Sequence, residues 1–226
     1  MQAIILAGGL GTRLREVVHN LPKPMAPVGN RPFLEIVLEK LAAQGFEKII
    51  LSVGFMAEKI MCHFGARCFG MDVVYAVEEM PLGTGGGVRL AMEQVTVDHV
   101  FVFNGDTYID LEVNSVEQLW QQRKRSIIIG REVPDTARYG RLAVKHGIAL
   151  GLCEKMCDGP GLINAGCYVI KRSQMARFDP GIPFSLESDF LAPSIADGDF
   201  DSFVTSGMFI DIGVPEDYQR AKIILG

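Results

Sequence analysis

The chain has 226 residues, 48% of them hydrophobic and 22% charged, with 22 Lys+Arg against 27 Asp+Glu and a formal charge of −5. That composition excludes disorder, which needs low hydrophobicity and high net charge, and it suits one globular domain spanning the chain. An acidic balance with no Lys/Arg block excludes nucleic acid as the main partner, and no apolar run reaches the roughly 18 residues of a membrane span. No basic stretch precedes the short apolar start of the chain, so a cytoplasmic protein without a membrane partner is expected.

In chain order, short apolar runs alternate with stretches of helical period, the pattern of an α/β fold with a mostly parallel central sheet flanked by helices. Ala3–Leu6 reads as the first strand and runs straight into a Gly-rich turn. Pro32–Gln44 reads as a helix, with Phe33, Val37 and Leu41 on one face and Gly45 as its C-terminal cap. Strands are expected at Lys48–Val53, Val73–Val77 and Val100–Asn104, with helices at Met56–Phe64 and about Gly86–Val95. Val113–Lys124 is the next helix and Ser126–Gly130 the next strand. From Gly140 the pattern changes to short strands between Gly-rich turns, at Arg141–Val144, Ala149–Cys153 and Asn164–Ile170, which predicts a small antiparallel excursion. Helices at about Leu186–Ala196 and Pro215–Leu225 flank a pair of strands, Phe200–Thr205 and Phe209–Ile212. The five cysteines form no C-x-x-C pair and the four histidines do not complete a zinc spacing, so free, mostly buried thiols are expected.

The chemistry begins after the first strand, at Leu6-Ala7-Gly8-Gly9-Leu10-Gly11-Thr12-Arg13. Glycines here let backbone N–H groups approach a polyphosphate with no side chain in the way. No Gly-Lys-Ser/Thr follows, which excludes a Walker A loop. The dinucleotide fingerprint lacks its third Gly, and the second strand ends in Ser52-Val53-Gly54 with no acid for a ribose, which counts against a nicotinamide oxidoreductase. Two cations stand in their place: Arg13 in the loop and Lys23 between two prolines that stiffen its backbone.

Gly8-Gly9-Leu10-Gly11-Thr12-Arg13-Leu14 and Pro22-Lys23-Pro24-Met25 resemble the sugar-1-phosphate nucleotidylyltransferases. The likeness continues through Pro81-Leu82-Gly83-Thr84-Gly85-Gly86, Asn104-Gly105-Asp106, Glu154-Lys155, Asn164-Ala165-Gly166 and Phe209-Ile210-Asp211-Ile212-Gly213. Within that family the chain is most similar to the branch that guanylylates D-glycero-α-D-manno-heptose 1-phosphate, through Leu14-Arg15-Glu16-Val17-Val18, the Gly85-Gly86-Gly87 run and a short C-terminus. The resemblance implies a Rossmann-like nucleotidyltransferase domain with a nucleotide-binding half over about 1–112 and a sugar-phosphate half over about 113–226. It implies NTP and sugar 1-phosphate as substrates, Mg²⁺ as cofactor, an NDP-sugar for bacterial surface polysaccharide as product, and it is compatible with a homodimer.

A sugar phosphate with a second pKa near 6 is already mostly ionised at neutral pH, so such a reaction needs alignment and charge neutralisation and no general base. Asp106 follows a buried strand, where open α/β sheets hold their ligands, and its carboxylate suits Mg²⁺. Asp211 lies between Ile210 and Ile212, a setting in which an unpaired charge is costly, and the resemblance makes it the second metal ligand. Asp110 is better explained as a strand-end or cap residue. Arg13 and Lys23 are assigned to phosphate charge, with Arg15 in support. The resemblance assigns nucleotide contacts to Leu6, Ala7, Gly8, Gly9, Gly11, Thr12, Gly83 and Thr84, and sugar-side contacts to Tyr139, Gly140, Glu154, Lys155, Asn164 and Glu187. The resemblance also implies a base-reading residue before the Pro-Leu-Gly-Thr turn, where Glu78 stands; its carboxylate can accept from both N1–H and the 2-amino group of guanine, which favours GTP, and Glu79 is the neighbouring candidate. A uridylyl- or thymidylyltransferase for a hexose or amino-sugar 1-phosphate stays open, as does a non-catalytic regulatory subunit.

Overall fold

The computed structural model describes residues 1–9, 18, 20–153 and 158–226. Strands run at β1 (Gln2–Leu6), β2 (Pro27–Val28), β3 (Arg31–Pro32), β4 (Lys48–Val53), β5 (Arg67–Cys68), β6 (Met71–Val77) and β7 (His99–Asn104). The second half adds β8 (Thr107–Ile109), β9 (Ser126–Val133), β10 (Arg141–Lys145), β11 (Ile148–Cys153), β12 (Gly161–Lys171), β13 (Phe200–Thr205) and β14 (Phe209–Asp211). Helices are α1 (Phe33–Ala43), α2 (Ala57–Phe64), α3 (Gly83–Ala91), α4 (Val113–Arg123), α5 (Ala192–Ala196) and α6 (Pro215–Ile224).

The main sheet has the order β10-β11-β13-β9-β12-β7-β1-β4-β6-β5 among the described residues. β7, β1, β4 and β6 are mutually parallel, and β12 enters antiparallel between β7 and β9. Strands buried on both faces cannot show alternation of polarity, which is why these read as continuous apolar runs. Their alternation instead divides two cores. Ala3, Ile5, Ile49, Leu51, Phe101, Phe103, Ile127 and Ile129 pack on one face with α1 and α4. Ile4, Ile50, Val100, Val102 and Ile128 pack on the other with α3 and the segment 186–195. The Cα register pairs Leu6 with both Ser52 and Asn104, so three parallel strands end at one level, where the glycine turn leaves the sheet.

Several sequence expectations need correction. The antiparallel strands expected after Gly140 form as β10, β11 and β12, and they continue the main sheet, while β9 pairs with β13 in parallel. The two late strands both form, Phe200–Thr205 and Phe209–Asp211, but in different sheets. The first lies in the main sheet and the second pairs with β8, a strand too short to stand out in the sequence. The helix expected from Gly86 begins at Gly83. Leu186–Ala196 splits into a π-helical stretch over Leu186–Leu191 followed by α5. Among the described cysteines all are free, yet Cys62 on the surface of α2 and Cys153 at the end of β11 are exposed, Cys68 in the edge strand β5 is half-buried, and only Cys167 is buried. No helix of the described residues is long and apolar enough to cross a membrane.

Candidate active site

A cavity of about 420 Å³ opens at the carboxyl ends of β1, β4 and β6, walled by Leu6, Gly8 and Gly9 on one side and by Ser52, Glu78 and Gly83 on the other. Hydrogen bonds across the strand ends shape it. Ala7 N–H donates to Ser52 O at 2.8 Å, and Gly105 N–H to Leu6 O at 2.9 Å. A Cβ on Gly9 would meet nothing within 4 Å among the described residues. A Cβ on Gly8 would lie 2.9 Å from Glu78 Oε1 and 3.1 Å from Gly54 N, so a side chain there would crowd the Glu78 carboxylate and the Gly54 backbone. Glu79 and Thr84 also border the cavity.

Beside it, Lys23, Asp106 and Asp211 converge from three distant parts of the chain. Lys23 opens a single 3-10 turn, Lys23–Met25, whose Pro24 and Met25 are buried, so the base of the lysine is anchored and its ammonium meets Asp106 Oδ2. Asp211 closes β14, opposite Thr107 of β8, and the next residue, Ile212, donates its N–H to Asp106 O at 2.9 Å. Asp211 Oδ1 accepts from Gly213 N–H at 2.7 Å. Burial pushes the Asp211 carboxyl above its usual value, the charge of Asp106 pushes it further, and Lys23 opposes both. Among the described residues these two carboxylates meet one ammonium, which leaves negative charge incompletely compensated in a partly desolvated place. These hard oxygen donors fit a divalent cation, which uses one or two protein carboxylates and keeps other positions for water and phosphate. Asp110 lies apart, ion-paired with Lys40 at 2.5 Å.

The N-terminus of α3 is closed by protein. Gly85 and Gly86 point their N–H groups at Phe184 O, at 3.0 and 3.4 Å, and Phe184 stacks on Phe178 with ring centroids 4.1 Å apart. A Cβ on Gly85 would fall 2.2 Å from the Phe184 ring. Thr84 extends this joint: its hydroxyl donates to Glu187 Oε2 at 2.8 Å and accepts from Leu186 N–H at 2.9 Å. The turn beside the cavity is thereby tied to the π-helical stretch that carries Glu187. Thr84→Val removes both bonds and is expected to destabilise the fold by about 1 kcal/mol; an unchanged urea midpoint overturns that expectation.

On the far side of Asp211, Tyr139 packs edge-on against Phe209 at 5.7 Å, and Gly140 O accepts from Asn164 N–H at 2.9 Å. The Asn164 side chain serves its own bend, donating to the Tyr168 hydroxyl at 2.7 Å and accepting from Gly166 N–H at 3.0 Å. Gly11, Thr12, Arg13, Arg15, Glu154 and Lys155 lie outside the described residues. Sequence reasoning missed two neighbours of the site. Arg138 pairs with Asp217 at the start of α6, a partner 79 residues away in the chain that nothing local reveals. Ser52, wholly buried against Glu78, carried a signal: a lone hydroxyl inside an apolar strand.

Residues 2–224 match the family model described as Nucleotidyl transferase. A D-glycero-alpha-D-manno-heptose 1-phosphate guanylyltransferase of Aneurinibacillus thermoaerophilus is 36% identical over 223 residues, covering 98% of this chain and 97% of that protein. The Campylobacter jejuni protein of the same name is also 36% identical, over 224 residues and 99% of each chain. The crystal structure of HddC from Yersinia pseudotuberculosis superposes with a TM-score of 0.89 at 37% identity, covering 100% of this chain and 99% of that one. Its complex with GMP-PN gives 0.87 at 37% identity, with the same coverage.

Proposed function

The chain belongs to the nucleotidyl transferase family, and from that premise we propose that it transfers the guanylyl group of GTP to D-glycero-α-D-manno-heptose 1-phosphate, giving GDP-heptose and pyrophosphate. The observation that carries this reading is the end-to-end similarity to two curated guanylyltransferases for that heptose. Glu78 on the cavity wall supports the choice of base, since its carboxylate matches two adjacent donors of guanine and a uracil offers only one.

An oxygen of the sugar phosphate bonds to the α-phosphorus while the α–β bridging P–O bond breaks, and that electron pair leaves with pyrophosphate. The attacking oxygen is already ionised, so the protein's part is positioning and electrostatics. Gly8 and Gly9 bring backbone close to the nucleotide, with Leu6, Ala7, Gly83 and Thr84 completing its side of the site. Lys23 neutralises charge where the two phosphates meet, and Arg13, with Gly11 and Thr12, grips the triphosphate. A divalent cation is the family's cofactor; we assign it as Mg²⁺ to Asp106 and Asp211, which would hold it, and it would supply charge neutralisation for the reacting phosphates. Tyr139, Gly140, Asn164, Glu154, Lys155 and Glu187 form the sugar-phosphate side, so residues about 1–112 serve the nucleotide and about 113–226 mainly the sugar.

The test is a matrix of four NTPs against several sugar 1-phosphates, read by pyrophosphate release with Mg²⁺. Turnover is expected with GTP and the heptose phosphate together. A preference for UTP or dTTP overturns the base assignment, a preference for a hexose overturns the sugar, and silence throughout overturns the enzyme.

A further inference from the structure

Glu78 is held more tightly than a cavity-wall carboxylate requires. Its Oε1 accepts from the Ser52 hydroxyl at 3.1 Å, its Oε2 accepts from Leu82 N–H at 2.9 Å, and its own N–H donates to Val53 O at 2.8 Å. Ser52 is 0% exposed, within the apolar run of β4, where a hydroxyl without a partner would carry a desolvation cost. Space around Oε1 is equally restricted. A Cβ on Gly87 of α3 would lie 2.7 Å from Ser52 Oγ and 2.9 Å from Glu78 Oε1, and one on Gly8 would lie 2.9 Å from the same oxygen. Neither glycine has a positive φ, so backbone conformation does not call for them. The clearance they leave is filled by the Ser52–Glu78 pair.

We propose that Ser52 and Gly87 are positioning residues that fix the Glu78 carboxylate and thereby set selectivity for the 2-amino face of guanine, an inference that rests on Glu78 reading the base. A carboxylate offers about four lone-pair directions. Ser52 and Leu82 occupy two, one on each oxygen, which leaves one acceptor direction on each for N1–H and the 2-amino group. Held so, the carboxylate distinguishes guanine from hypoxanthine, which keeps N1–H and lacks the amine. A carboxylate free to rotate can satisfy N1–H alone equally well with either base, and the distinction weakens.

The measurement is kcat/KM with GTP and with ITP for the wild type, Ser52→Ala, Gly87→Ala and Glu78→Gln. The GTP/ITP ratio is the informative quantity, because a loss of folded enzyme lowers both numbers alike. Ser52→Ala and Gly87→Ala are each expected to lower that ratio about tenfold, on the scale of a hydrogen bond to a charged group. Should one variant fail to fold, the other still decides, since Ser52→Ala removes the donor to Oε1 and Gly87→Ala crowds that donor and the oxygen together. A ratio unchanged in both, with Glu78→Gln collapsing it, overturns the positioning role and leaves the base reading intact. A ratio unchanged in Glu78→Gln overturns the base reading, and the positioning role with it.

Discussion

Asp211→Asn is expected to lower turnover by on the order of 10²–10³-fold, the scale of removing one preorganised electrostatic contact, while raising the melting temperature of the metal-free protein. Both effects have the same cause. The Asp211 carboxylate stands between buried Ile210 and Ile212, disfavoured by burial and by Asp106, and compensated only partly by Lys23. Removing its charge relieves the folded state at neutral pH, and it also removes one of two oxygen donors assigned to the cation. Asp106→Asn is expected to cost comparable activity with the opposite effect on stability. Asp106 is the direct partner of Lys23, whose side chain is 14% exposed, so its neutralisation takes the charged partner from a largely buried ammonium and leaves it only the coulombic attraction of Asp211. Pyrophosphate release at saturating Mg²⁺ and thermal unfolding in EDTA check the pair. Near-normal turnover in either variant removes that residue from the metal site, and melting shifts of the same sign refute the electrostatic account.

How far the sequence revealed this arrangement depends on where each residue's partners lie. Asp211 was legible because its apolar neighbours are adjacent in the chain, so the cost of its charge is a local fact. The parallel strands were legible because burial on both faces leaves an apolar run whatever the strand order. The order itself was not: β13 and β14 look alike in sequence, yet β13 pairs with β9 and β14 with β8, choices made by side chains far along the chain. The glycine run of α3 shows the same divide. It was readable as a motif, but its physical reasons are the Phe184 ring against Gly85, Leu82 against Gly86, and Ser52 with Glu78 against Gly87. Thr84 was assigned to the nucleotide, and its hydroxyl is used by Glu187 and Leu186, contacts from the other half of the chain.

Gly105→Ala is expected to destabilise the fold by about 1–3 kcal/mol, the cost of overpacking a rigid site, and to lower turnover about 100-fold, the scale of an ångström's misplacement of a catalytic group. A Cβ on Gly105 would lie 2.4 Å from Leu6 O, 3.1 Å from Leu6 C and 3.4 Å from Ala7 Cα. All three are backbone atoms at the end of β1, a central strand paired on both sides, so no side chain can rotate away. Either β1 shifts, and the Gly105 N–H to Leu6 O bond with it, or the turn carrying Asp106 moves outward. The second course is easier for an unpaired turn, and it drags β14, because Ile212 N–H is bonded to Asp106 O. Both carboxylates then move relative to Lys23. Gly9→Ala is the control for stability: its Cβ would meet nothing within 4 Å among the described residues, so the urea midpoint should stay at the wild-type value. If Gly105→Ala keeps both its midpoint and its turnover, the turn is not held against β1 as these distances require, and the placement of Asp106 does not depend on the absence of a side chain before it.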